Sequence, residues 1–189
     1  MTMELRIAPP LQERPAGVRQ RWRERRRERQ RLARQDRLAA HLAELHRIRA
    51  LIGDARAVIA SGWVQQGWFT YRDPQGHQRT INAGNLRSIG DRPVTGACLV
   101  GAIVQAGGGL AAVRSQPVQR ALDLTWHTLF GDDREPIRWC PAPPIRSAQV
   151  RDLTRWNDQS ERTSDDVVSL LDATERAAGA ELERARGGS

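Results

Sequence analysis

Cys98, His127 and Asn157 or Asp158 stand in the chain order of a papain-like thiol hydrolase. That order supplies a nucleophile, a base and a group that orients the base. Cys98 also lies near a predicted helix start, and a helix N-terminus lowers a thiol pKa toward the attacking thiolate. Two features oppose this chemistry. Residues 93–113 contain no charged side chain, and a cysteine in such an apolar run is expected to be a buried, inert thiol. His127 falls between Trp126 and Leu129 inside a helical repeat, the place of a core or boundary residue. The expectation therefore leans away from an enzyme, and no catalytic residue is assigned. Metal chemistry fares no better. His41 and His46 are five residues apart, which does not make an i, i+4 pair, and two cysteines do not fill a four-ligand zinc site. Gly107, Gly108 and Gly109 are not followed by the Lys-Ser or Lys-Thr of a phosphate loop. No metal and no cofactor are expected.

The second group able to do chemistry is cationic. Arg19, Arg21, Arg23, Arg25, Arg26, Arg27, Arg29 and Arg31 stand against only Glu24 and Glu28. On a helix they form a cationic rod. Arg21, Arg23, Arg25, Arg26, Arg27 and Arg29 would neutralise phosphates, and Trp22 would stack on an unpaired base. The competing reading is a solvated helix whose glutamates pair with Arg27 and Arg31 three residues on. Net charge favours the first. All 30 basic residues are arginine; residues 1–56 hold 15 of them against 7 acids, and residues 57–189 hold 15 against 15. The whole +8 excess thus sits in the first third. The expected function is a non-enzymatic binding or accessory protein whose arginine helix contacts nucleic acid or another acidic surface.

The elements that must carry these groups follow from periodicity and breakers. A length of 189 residues suits one compact domain with an extension. Residues 1–15, with Pro9, Pro10 and Pro15, are expected to be disordered. Residues 16–61 predict one long helix, arginine-rich first and amphipathic after. Its seam is Leu38, Leu42, Leu45, Ile48, Ile52, Ala55 and Ile59, a period near 3.5. A helix lying on its own core is the preferred reading of that seam; a homo-oligomeric coiled coil, making a self-assembling structural protein, is the alternative. Residues 62–183 predict a helical domain with one hairpin, its strands flanking Asp73-Pro74-Gln75-Gly76 in a type I turn. Four helices are expected there. The first covers 95–106 and is stopped by Gly107. The second covers 116–130, capped by Ser115 and closed by a left-handed Gly131. The third starts at Ser147 and ends at Asn157-Asp158. The last enters through Thr163 and Asp166 as a capping box, burying Val167, Leu170, Leu171, Thr174 and Ala178. Residues 184–189 are expected to be a disordered tail. The fold class is mainly α with one small β-hairpin (α+β), a long N-terminal helix projecting from a compact helical domain. The uncharged stretch 93–113 has the length of a bilayer span, but Gln105 and three glycines argue against insertion, so a membrane is not expected. Free thiols and the absence of a secretory pattern in MTMELRIAPPLQERP point to the cytoplasm.

Three short motifs recur in order: Arg72-Asp73-Pro74-Gln75-Gly76, Cys98-Leu99-Val100-Gly101-Ala102, and Trp156-Asn157-Asp158 followed by Arg162-Thr163. In this order the chain resembles a family of small bacterial and phage proteins described as a domain of unknown function, over roughly residues 60–178. The resemblance implies a shared helical fold with a small hairpin, and it brings no activity with it. Cys98, Gly101, Trp156, Asn157, Asp158 and Thr163 are its motif residues. Trp156-Asn157-Asp158 reads as a helix corner, since asparagine and aspartate make side-chain turns and tryptophan anchors them. The alternative is a polar recognition site with Asp152, Glu161 and Asp165 nearby.

Overall fold

A computed structural model describes residues 17–85, 92–131, 137, 139, 140 and 142–187, without the side chains of Val18 and Arg19. The expected disorder of residues 1–15 lies outside them, as do residues 188 and 189. The chain divides into two units, residues 1–39 and residues 40–189. Helix α1 (Val18–Ser61) begins in the first and ends in the second. Its first half is exposed almost throughout. Its second half buries Leu45, Ile48, Ile52, Ala55 and Ile59 within residues 40–189. The seam is therefore filled by the chain's own core from Leu45 onward, while Leu38 and Leu42 are half-buried. Arg49 and Arg56 then tie α1 to Glu175, at 3.1 and 2.6 Å, and Arg56 also pairs with Asp172.

The sheet is larger than the expected hairpin. Strands β1 (Phe69–Arg72), β2 (Gln78–Ile81) and β3 (Val94–Ala97) form an antiparallel sheet in the order β2-β1-β3. Phe69 stands opposite both Ile81 and Ala97. The turn is as expected: the Gly76 N–H donates to the Asp73 carbonyl at 2.9 Å, and Gly76 takes φ +83°, closing a three-residue loop in the left-handed region. Residues 95–97 are thus strand where a helix is predicted. Val94 and Thr95 are β-branched, and Gly96 lets the strand approach, since a Cβ there would sit 2.8 Å from Thr70 Oγ1. The helix starts only after Cys98, as α2 (Leu99–Ala106), and ends at Gly107. The uncharged stretch is thereby split, and among the described residues no helix is long and apolar enough to cross a membrane.

Helix α3 (Gln116–Phe130) has the expected span, but neither end closes as predicted. The Ser115 side chain makes no cap hydrogen bond, and Gly131 is extended (φ −88°, ψ 176°) rather than left-handed. Glycine is still required there, because a Cβ would meet the His127 carbonyl at 2.5 Å. Helix α4 (Pro143–Asn157) starts four residues before the expected Ser147 cap. Proline suits a first helical turn, and Ser147 lies inside the helix, its hydroxyl donating to the Pro143 carbonyl at 3.0 Å. Helix α5 (Ser164–Gly187) begins with the expected reciprocal box: the Thr163 N–H donates to Asp166 and the Asp166 N–H to Thr163 Oγ1, at 2.9 and 3.3 Å. The Thr163 N–H, then its hydroxyl, hold the Asp166 carboxyl below the usual range. The helix runs on to Gly187, past the expected start of a frayed tail at residue 184. Arg184–Glu181 and Arg186–Glu183 pairs support its last turns, at 2.8 and 2.9 Å.

Candidate functional site

Among the described residues no hydrogen bond joins Cys98, His127 and Asn157 into a thiol triad. Cys98 is fully buried, and its Sγ accepts the Gly101 N–H at 3.4 Å as the cap of α2. Burial pushes the thiol up to about 12, the opposite of the shift a nucleophile needs. His127 is buried on α3 beside Gly131. Among the described residues neither side chain hydrogen-bonds the other. Asn157 is committed elsewhere. Its Oδ1 accepts the Trp63 indole N–H and the Leu99 N–H, both at 3.0 Å. Its Nδ2 donates to the Val64 carbonyl at 3.1 Å and to Asp158 Oδ1 at 2.9 Å.

The motif residues therefore hold the fold. Asn157 joins the end of α4 to the chain before β1 and to the first turn of α2. Gly101 lets α2 press on β1, since a Cβ there would lie 2.0 Å from the Trp68 carbonyl. Asp158 Oδ1 also accepts the Gln66 N–H at 2.9 Å. Arg162 lies over the Trp156 ring at 4.2 Å, leading the chain to the Thr163 cap. Asp73 Oδ1 accepts the Gln75 and His77 N–H groups, at 3.0 and 2.8 Å, shaping the hairpin turn.

The arginine run is a different case. Arg21, Arg23, Arg25, Arg26, Arg27 and Arg29 are all exposed on α1, and Trp22 is 58% exposed. The Arg26 guanidinium lies 5.5 Å from the Trp22 ring centroid. Trp22, Arg26, Arg29, Gln30 and Ala33 line a shallow groove of about 350 Å³, as their helical spacing requires. The acids do little to neutralise the run. Glu28 pairs with Arg31 at 2.8 Å, as expected, but Glu24 accepts from Gln20 at 3.1 Å instead of from Arg27. Arg23, Arg25, Arg27 and Arg29 have no carboxylate partner among the described residues.

Two features escaped the sequence reading. Asp123 is a buried carboxylate on α3, forked by Arg146 at 2.9 and 3.0 Å and bonded by the Cys140 N–H at 3.2 Å. The one acid of α3, set between Leu122 and Leu124, was its signal. Beside it lies a cleft of about 1080 Å³ between α4, the start of α3 and the chain entering β1. Its lining includes Arg114, Arg146, Arg151 and Arg155.

A family model described as a family of unknown function (DUF6197) matches residues 43–177. No curated protein and no solved structure matches the chain. The match takes in the sheet, the cleft and every motif residue, and begins beyond the arginine run.

Proposed function

The chain belongs to the family of unknown function DUF6197, and since that match begins only at residue 43, we propose a function for residues 21–29 on physical grounds: a non-enzymatic nucleic-acid contact. The observation that carries it is four exposed arginines on one short helical stretch, Arg23, Arg25, Arg27 and Arg29, with no carboxylate partner among the described residues. A protein relieves such crowding by neutralising phosphates, and the released counterions drive binding. The α1 N-terminus adds to the same field. Its first turn holds no acid, so the helix dipole and the arginines both favour an anion there. Arg21 and Arg26 extend the contact, and Trp22 offers a stacking face for an unpaired base. A cytoplasmic setting suits the two free, buried thiols.

An electrophoretic shift assay with single- and double-stranded oligonucleotides tests this. Replacing Arg23, Arg25, Arg27 and Arg29 together by glutamine is expected to weaken binding at least about tenfold, with exposed positions leaving the fold intact. Trp22→Ala is expected to weaken single-strand binding more than duplex binding. Equal binding by the quadruple variant would overturn the reading. Stronger binding to polyglutamate than to either oligonucleotide would redirect it to an acidic protein surface.

A further inference from the structure

We infer that the cleft within residues 40–189 binds a small organic anion, a phosphate or carboxylate carried on an apolar, planar body. Its volume of about 1080 Å³ accommodates such a ligand with room for water. One wall is a single face of α4, where Arg146, Val150, Arg151, Thr154 and Arg155 recur at helical spacing. Arg114 and the largely buried, apolar Trp68 also line the cleft.

Charge decides the ligand class. The lining holds four arginines and one carboxylate, Asp158. Arg146 is forked on Asp123, and Arg155 lies 3.4 Å from Asp152. Asp158 already accepts the Gln66 N–H and the Asn157 amide. Arg114 and Arg151 remain, with no carboxylate partner among the described residues. Two guanidiniums without a carboxylate partner in a concavity focus a positive field on whatever enters. Arginine forks onto phosphate or carboxylate oxygens. The first turns of α3 and α4 border the same space through Gln119 and Pro143, and neither contains an acid or has a side-chain cap. Gln66 adds a polar contact. It is the one non-glycine residue with positive φ among the described residues, at 58°, held so by Asp158, and its side-chain amide has no partner there. Strain of this kind persists where surrounding structure enforces it.

Calorimetric titration of the full chain with phenyl phosphate, benzoate, phenol and inorganic phosphate tests the inference. Phenyl phosphate or benzoate is expected to bind one site at least about tenfold more tightly than phenol or inorganic phosphate. The tighter of the two identifies the anionic group. Arg114→Gln with Arg151→Gln is expected to weaken that binding at least about tenfold. Ser147→Trp, which fills the cleft without changing charge, is expected to abolish it. Both variants alter exposed side chains, so circular dichroism and melting should match the parent. The arginine-to-glutamine changes at positions 23, 25, 27 and 29 should leave phenyl phosphate binding as it is. The inference is overturned if neither aromatic anion binds by about 10 mM, if both cleft variants bind as the parent does, or if only the α1 variant loses binding.

Discussion

Asn157 is 0% exposed and has both amide atoms in use, so its replacement strands its partners. Asn157→Ala leaves the Leu99 N–H and the Val64 carbonyl unpaired inside the fold, each at about 1–3 kcal/mol. The expected loss is about 3 kcal/mol, read as a lower urea midpoint with unchanged slope. Asn157→Asp is expected to be no better, because a carboxylate donates nothing to Val64 and sits against Asp158. A loss near zero would return Trp156-Asn157-Asp158 to the reading of a recognition site. Cys98 makes a prediction with a sign. Its thiol is held up to about 12 by burial, against 9.0 for an unhindered thiol. Between those values the unfolded chain releases a proton that the folded chain keeps, so stability falls as pH rises through that window and is whole below it. Equilibrium unfolding of the parent should therefore lose more stability between pH 9 and about 11 than Cys98→Ala does. At neutral pH a thiol-reactive probe should label Cys98 only after denaturation. Labelling in the folded state would reopen thiol chemistry.

Helices α3 and α5 are legible in the sequence because what makes them is local: apolar residues at helical spacing, with a Thr163–Asp166 box that needs only its own four residues. Strand β3 is not, because the partner that makes it a strand lies some 25 residues away at Thr70 and Phe69. Its Val94-Thr95-Gly96-Ala97 runs without a break into the apolar helix that follows. The α4 start was lost among prolines, which open helices as readily as they separate them. The seam on α1 is the case where two outcomes share one pattern, since a period near 3.5 suits a coiled coil and a helix on its own core alike. Burial separates them. Leu45 is 0% exposed inside its own unit. Leu45→Asp is therefore expected to abolish cooperative thermal unfolding, since a buried unpaired carboxylate has no partner there. Leu38→Asp, at a half-buried position, should be far milder. Sedimentation decides the matter: a folded Leu45→Asp protein of lower mass than the parent would make the seam an interface between copies.

At the scale of the molecule, charge and fold are divided between different parts of the chain. Residues 1–39 carry 12 arginines and 5 acids, whereas residues 40–189 carry 18 and 17. The arginine run was legible because its members are neighbours in sequence. The cleft was not, because residues 66–68, 114–119 and 143–158 meet only in the fold, and single arginines in a balanced background carry no pattern. This division makes salt dependence the sharpest measure of the nucleic-acid reading. Each phosphate neutralised on a duplex contributes about −0.9 to the slope of log affinity against log salt. Six arginines, each on one phosphate, would give a slope of about −5, and replacing four of them by glutamine would leave about −2. Arg114→Gln with Arg151→Gln should not move it, since the cleft is proposed for small anions. A chain starting at residue 40 keeps Leu45 and the rest of the α1 seam. It should melt cooperatively near the parent's temperature while its slope falls toward zero. A quadruple variant with the parent's slope would mean that the arginines of α1 do not touch phosphate, and that their excess serves a partner whose affinity is set by shape rather than by counterions.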